Sequence, residues 1–538
     1  MSKSRTRSKP FIRFAGSGDE WTAETPAARR GGSLVLPERK SMKLHRPLLV
    51  SSFAFLPALA SFGCATSSGN NGGGSSSGGS GQGAFGGFGG GGSGGSITQG
   101  GSGGSITQGG SGGSITQGGS GNAGSGGTIG STGGGTSTGA QPNTAPGFMN
   151  LAPPMGDPLP DTGDTVTPAP PTGWNWYNID GSMCRDGSPS GIYVHKGTAS
   201  KLVIYLEGGG ACTDDHFCAF NPNSVNQVLA GDGSTVLGTV AGTGAGRQQP
   251  GVYSDASHTA APAGLFDTSN AANPFKDWSQ VYVPYCTGDV HFGTAKNVMI
   301  PNISTPQQFV GYDDMKLYIG RIVPTFKNTV NQVVITGASA GAFGAALNFS
   351  MVQDAFGSVP VIALDDSGPP FDDSYMPACL QTNWREVWGF ANSLPKDCTE
   401  CQQADGGGGD LVHLADFLLR KHPNARIGIL SSVQDEVIRL FYSMGLDNCM
   451  NYAEADPVPL FLAESDPTQF FSAATYTAGL NALRTTYVPT GKLSTYYMSG
   501  QLHQHIFRPE FFTSTAGSIT EAQWAQDFID GKIEQIGP

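Results

Sequence analysis

The chain has 538 residues, of which 81 are glycine and 35 proline while only 13% are charged, a balance too skewed for a uniformly globular protein. The skew is local: residues 69–139 hold 35 of the glycines, and no Asp, Glu, Lys or Arg occurs between Pro47 and Gly156, so that tract cannot bury a core. The net charge of −12 combines a basic start, eleven Lys/Arg against four Asp/Glu over residues 1–63, with an acidic remainder of nineteen against thirty-eight; this excludes a general nucleic-acid binder, which needs the opposite sign to neutralise phosphates.

Near the start, Lys43 and Arg46 precede the apolar run PLLVSSFAFLPALASFG from Pro47 to Gly63. It is long enough for the h-region of an export signal, and too short and Pro-interrupted for a comfortable membrane span. We therefore expect an extended or non-native N-terminal region over 1–41 and an export signal over 42–64. Cys64 then stands where a lipoprotein signal is cut and its cysteine acylated, which leaves two outcomes open, a lipid-anchored protein or a freely secreted one. Eight further cysteines remain. An even number in an exported chain points to disulfides, including for Cys398-x-x-Cys401, which lacks the strand-to-helix setting of a redox pair; the pairing itself is not readable from sequence.

The unit SITQGGSG recurs at a nine-residue period from Ser96, Ser105 and Ser114. It contains none of the aspartates that a calcium-binding β-roll requires. With the Pro-rich stretch from Pro153 to Pro171 it reads as a disordered linker over 65–172, whose Gly/Ser part of about 80 residues would hold a domain roughly 50 Å from its anchor. The catalytic domain is then expected over 173–538.

From Gly173 onward, short apolar runs mark buried strands: Leu202–Leu206, Val281–Tyr285, Val333–Thr336, Val361–Leu364, Ile427–Leu430 and Thr495–Met498. Helical segments fall between several of them, at Asp313–Asn328, Ala340–Phe356 and Leu411–Lys421. This alternation predicts an α/β fold with a mostly parallel central sheet flanked by helices, of the α/β-hydrolase type.

Gly337-Ala338-Ser339-Ala340-Gly341 follows the VVIT strand and opens the next helix, the setting in which a G-x-S-x-G serine sits on a sharp turn as a nucleophile. The pattern alone carries nothing, since the linker repeats it at Gly91, Ser93 and Gly95. A serine needs a histidine to take its proton and a carboxylate to orient that histidine. In this architecture they follow later strands in the order acid, histidine, which selects Asp435 after IGIL and His503 after TYYM. Asp365 and Asp366 are rival acids, read here as structural or pocket-lining. His505 rivals His503, since alternation along an extended segment puts both on one face; His503-x-His505 also offers a metal chelate, but no HExxH or carboxylate-rich ligand set accompanies it, and no metal is expected. The oxyanion donors are expected from the backbone amides of Gly209 and Gly210, in the loop after LVIYL, and of Ala340.

These residues resemble the pectinacetylesterase family, which includes the animal carboxylesterase Notum. The landmarks occur in order: Asp186-Gly187-Ser188-Pro189 after Cys184, Leu206-Glu207-Gly208-Gly209-Gly210 before Cys212, Tyr285-Cys286-Thr287-Gly288-Asp289, the Ser339 elbow, and Asp366-Ser367-Gly368. The resemblance spans about residues 174–510 and implies Ser339 as nucleophile, Asp435 as acid and His503 as base. Gly210 stands where a tryptophan is common and Gln504 where Cys or Glu is frequent, changes in the pocket wall that bear on acyl preference; Ala342-Phe343 replaces a glycine-rich continuation of the elbow. The expectation is an exported serine carboxylic-ester hydrolase that needs no cofactor and deacetylates a glycan, with no protein partner inferred. Two alternatives stand beside it: a lipid or fatty-acyl esterase on the same fold, and a non-catalytic surface glycan-binding module.

Overall fold

The computed structural model describes residues 144–166, 169–219, 221–229, 236–237, 263–402, 411–449 and 470–538. The expected export signal, Cys64 and the nine-residue repeats lie outside the described residues. Nine strands form one sheet: β1 (Trp174–Met183), β2 (Pro189–His195), β3 (Lys201–Leu206), β4 (Ser279–Val283), β5 (Gln332–Ala338), β6 (Val361–Asp366), β7 (Ile427–Ser432), β8 (Leu493–Met498) and β9 (Gln535–Ile536). Their order is β1-β2-β4-β3-β5-β6-β7-β8-β9. β1 and β2 pair antiparallel, β2 meets β4 antiparallel, and every pair from β4 to β9 is parallel. This is the α/β-hydrolase-like sheet expected from the alternating strands and helices.

The parallel strands read as continuous apolar runs because both faces of the sheet are covered. In β3, Leu202, Ile204 and Leu206 enter the core on one face while Val203 and Tyr205 enter that on the other. The first face is covered by helices α2 (Gly311–Phe326), α3 (Ala340–Phe356), α4 (Ala378–Val387), α5 (Leu411–Lys421) and α7 (Ala473–Tyr487). The second is closed by Trp524 and Phe528 of α8 (Glu521–Ile529), with Leu265, Phe266 and the aromatic side chains of β1, β2 and β4. A short helix, α1 (Asp215–Ala219), and α6 (Glu436–Ser443) lie near the strand ends that carry the candidate site. Among the described residues, no helix is long and apolar enough to cross a membrane.

The eight cysteines of this region form four disulfides, Cys184–Cys286, Cys212–Cys218, Cys379–Cys449 and Cys398–Cys401. Cys184–Cys286 joins the end of β1 to the loop after β4, and Cys212–Cys218 staples the loop after β3.

The folded domain begins some thirty residues before the expected boundary at Gly173. Thr144 Oγ1 and the Leu151 N–H both donate to the Asp354 carboxylate, at 3.0 and 2.7 Å, and Phe148 packs edge-on against Phe417 at 5.5 Å. Farther along, the Gly156 N–H donates to Gly320 O and the Leu159 N–H to Thr325 Oγ1. This strap closes over an ion pair, Lys421 Nζ to Asp354 Oδ2 at 2.7 Å, whose side chains are 0% and 1% exposed. Proline content made the segment look like a linker, yet its backbone groups are bonded by helices α2 and α3. A buried pair stripped of part of its hydrogen bonding is strongly destabilising. A chain begun at Gly173 should therefore melt lower than one begun at Thr144, by roughly 5 °C or more on a thermal scan; equal melting temperatures would show that the strap contributes nothing.

Candidate active site

Ser339 sits between β5 and α3 with φ +59° and ψ −123°, a positive-φ conformation that a non-glycine residue adopts only under constraint. The flanking glycines allow the turn. A β-carbon on Gly341 would lie 2.0 Å from Leu206 O, and one on Gly337 would lie 2.3 Å from Gly341 O, so β3, β5 and α3 meet at distances no other residue permits. The Ser339 N–H donates to Asp366 O at 2.8 Å, which fixes the elbow to the end of β6.

Asp435 follows β7 and caps α6, its Oδ1 accepting from the Val437 and Ile438 N–H groups at 3.0 and 2.9 Å. Its carboxylate also faces His503 in the loop after β8: Nδ1 stands 2.8 Å from Oδ2 and 3.0 Å from Oδ1. Asp435 is fully buried, while the His503 side chain is 11% exposed. The His503 loop reaches the serine. A β-carbon on Gly208 would lie 3.0 Å from Ser339 Cβ and 2.9 Å from Gln504 Nε2, which brings the loop after β3, the elbow and the residue after His503 to one point. Ser339 Oγ makes no hydrogen bond among the described residues.

His505 does not share a face with His503. Gln504 between them has φ +65°, which interrupts the extended alternation that the sequence suggested. The two rings take different partners: His505 Nδ1 lies 3.0 Å from Glu521 Oε1 and Nε2 lies 3.3 Å from Ser432 Oγ. The rings therefore do not converge as a chelate. Asp366 is a structural residue, its Oδ2 accepting from the His505 and Ile506 N–H groups at 2.8 Å each. Asp365 is buried beside it, with Oδ1 accepting from the Gly368 N–H and Oδ2 unpartnered among the described residues.

The loop after β3 is held from behind. Asn221 Nδ2 donates to Gly209 O at 2.6 Å and Tyr285 OH donates to Gly210 O at 3.0 Å. In a trans peptide the carbonyl and the following N–H point opposite ways, so the first bond turns the Gly210 N–H away from Asn221. The N–H groups of Gly209, Gly210 and Ala340 have no acceptor among the described residues, and Ala340 is the first residue of α3, where an N–H has no carbonyl one turn earlier in the helix to meet. Phe441 of α6 comes within 3.2 Å of where a Gly210 β-carbon would stand and packs on Phe217 at 5.2 Å. Sequence reasoning missed these supports: Tyr285 lies within a motif it singled out, whereas nothing in the sequence marks Asn221 or Phe441.

Several carboxyls near the site are held in low-dielectric surroundings. Burial pushes Glu207, which precedes the glycine loop, up to about 7, against the opposing hydrogen bonds from the Tyr285 N–H and Tyr282. Burial likewise pushes Asp365 up to about 7, the Gly368 N–H opposing it. His291, whose Nε2 lies 2.8 Å from Glu207 O, is pulled down to about 4 by its burial.

An elbow serine after β5, a carboxylate after β7 and a histidine after β8 are the arrangement of the α/β-hydrolase class. The pectinacetylesterase family model matches residues 175–408, which hold most of the sequence landmarks of that resemblance. The chain is 25% identical over 230 residues to the palmitoleoyl-protein carboxylesterase NOTUM of Drosophila melanogaster, covering 40% of this chain and 31% of that protein. It is 26% identical over 197 residues to the palmitoleoyl-protein carboxylesterase notum2 of Xenopus laevis, covering 34% of each. The matched part thus spans about a third of the length of these relatives. A solved structure of the Wnt deacylase Notum from Drosophila aligns with a TM-score of 0.46 at 18% identity, over 67% of this chain and 95% of that one.

The raised carboxyls carry a pH signature. In the folded chain Asp365 keeps its proton up to about pH 7, whereas the unfolded chain releases it near 4. Between these values the native state binds more protons, so this group makes stability fall as pH rises. Asp365→Asn removes that slope. Relative to wild type it should gain stability between pH 5 and pH 8, by on the order of 3 kcal/mol in urea denaturation; a difference independent of pH would contradict the assignment.

Proposed function

We propose that this chain is an exported serine carboxylic-ester hydrolase that removes acetyl groups from a polysaccharide. The observation that carries the reading is the His503–Asp435 pair, on loops that abut the Ser339 elbow. Ser339 Oγ attacks the ester carbonyl while His503 Nε2 takes its proton. Asp435 at Nδ1 holds the ring in the required tautomer and balances the imidazolium. The N–H groups of Gly209, Gly210 and Ala340 receive the oxyanion. The sugar hydroxyl leaves with the proton from His503, and a water activated by the same ring releases acetate from the serine.

Three features support a short acyl group, an exported protein and a substrate that is not a polyuronate. Phe441, packed on Phe217, comes within 3.2 Å of where a Gly210 β-carbon would stand and so crowds that side of the glycine loop, which suits a small acyl group. The apolar run after Lys43 and Arg46 fits an export signal, with lipidation of Cys64 as its anchored form. The acidic balance beyond residue 63 opposes steering of a polyanion toward the surface. A second reading, a fatty-acyl ester as substrate, is favoured by the relatives, which are palmitoleoyl-protein carboxylesterases.

Hydrolysis of p-nitrophenyl esters from acetate to palmitate, by a chain begun at Thr144 and by its Ser339→Ala variant, tests both. We expect fastest turnover of acetate, lost by at least about a thousandfold in the variant, because triad members act as a unit. Rates rising with chain length would favour the fatty-acyl reading. Residual activity in Ser339→Ala near the wild-type rate would remove the mechanism, and glycan binding with no turnover of any ester would make the domain a binding module.

A further inference from the structure

His505 lies two residues from His503, yet the proposed reaction does not use it. Its ring is 1% exposed and cannot reach a substrate. Each polar group of His505 ties a different element. The backbone N–H donates to Asp366 Oδ2 at 2.8 Å, on the residue whose carbonyl holds the Ser339 N–H. Ring Nε2 lies 3.3 Å from Ser432 Oγ, at the end of β7 and three residues before Asp435. Ring Nδ1 lies 3.0 Å from Glu521 Oε1, in the first turn of α8. The backbone carbonyl accepts from the Arg508 N–H at 3.0 Å, and the Arg508 guanidinium returns to His503 O at 3.0 Å.

Ser432, His505 and Glu521 thus form a buried serine–histidine–carboxylate row behind the proposed catalytic one. A fold that needed only a filled core would not place a carboxyl here. Glu521 is 1% exposed, and its Oε2 has no partner among the described residues, so the ring of His505 is the one side chain offsetting its desolvation. Burial raises the Glu521 carboxyl above its usual range, with the hydrogen bond to His505 opposing. Burial also works against charge on His505, but the Glu521 hydrogen bond and the carboxylates of Asp366, Glu521 and Asp435 outweigh it, so the pair retains a proton to higher pH than free imidazole.

We propose that His505, clamped between Ser432 and Glu521, is a positioning residue that sets the His503 loop against the Asp435 loop. The proposal rests on the serine-esterase reading. It predicts a loss confined to turnover, since a misplacement of about 1 Å between base and acid can cost about a hundredfold in rate while leaving the substrate contacts in place.

The fold supplies a matched control. Ser350 Oγ lies 3.0 Å from His422 Nε2, another buried serine–histidine bond, about 16 Å along α3 from the elbow. Ser432→Ala and Ser350→Ala remove the same kind of bond from the two places, and Glu521→Gln weakens the clamp at constant shape should Ser432→Ala fail to fold. For each variant, kcat and KM for p-nitrophenyl acetate, the rate of Ser339 labelling by a fluorophosphonate, and the melting temperature are measured. We expect Ser432→Ala and Glu521→Gln to lose about tenfold or more in kcat and in labelling rate with KM within about twofold, and Ser350→Ala to keep wild-type kcat. The inference is overturned if both clamp variants keep wild-type kcat, or if Ser350→Ala loses as much kcat as they do. Should Ser339→Ala remain active, the esterase reading itself fails; should Ser339→Ala be inactive while the clamp and control variants behave alike, only the clamp does.

Discussion

The site depends on one carboxylate that takes no part in the proposed chemistry. Asp366 ends β6 fully buried, its backbone oxygen accepting the Ser339 N–H and its Oδ2 accepting those of His505 and Ile506, while Oδ1 accepts the hydroxyl of Ser367. Ser367 Oγ in turn accepts the Gln504 N–H at 3.1 Å. The Ser339 elbow and the His503 loop are thereby referenced to the same strand end. An asparagine has one acceptor oxygen and an apolar residue none, whereas a carboxyl group has two oxygens, and here both accept.

This anchoring answers a problem of strain. Ser339, Ser367 and Gln504 all adopt positive φ without being glycine, at +59°, +65° and +65°. Such residues persist only where their surroundings over-determine them. Here two of the three have the N–H bonded within the Asp366–Ser367 cluster and the third is part of it. Behind the cluster, parallel strands covered on both faces supply a rigid base, and Gly337 and Gly341 let the elbow approach β3 closely. The glycine loop after β3 is braced separately, by Asn221, Tyr285 and the Cys212–Cys218 disulfide.

The same physics decides what could be read from the sequence. The six central strands were legible because burial on both faces leaves an unbroken apolar run, and helices α3 and α5 were placed at their observed ends. The β1–β2 hairpin was not: WNWYNIDGSM and PSGIYVH mix polar residues and glycine, since β1 exposes Asn178, Asp180 and Gly181 at the sheet edge. Ser339, Asp435 and His503 could be chosen because their order along the chain follows the strand order. The strap from Thr144 could not, because the partner that orders it, Asp354, lies 210 residues on. Nor could the separation of the two histidines be foreseen, since it turns on the backbone of Gln504 and on Glu521, sixteen residues away.

That separation also gives two histidines so close in sequence the different surroundings that the two proposed roles require. In the proposed chemistry the group that moves protons to and from substrate must keep an edge accessible, and of the two rings His503, with 11% of its side chain exposed, is the one that does so. A group that fixes geometry is better buried, where its hydrogen bonds face no competition from water. Both acids that meet these rings sit at helix N-termini, Asp435 capping α6 and Glu521 opening α8. Each histidine is thus oriented by an acid whose own position is set by a helix packed on the sheet. The precision of the candidate site then follows from secondary structure, and the loops between carry it only a few residues.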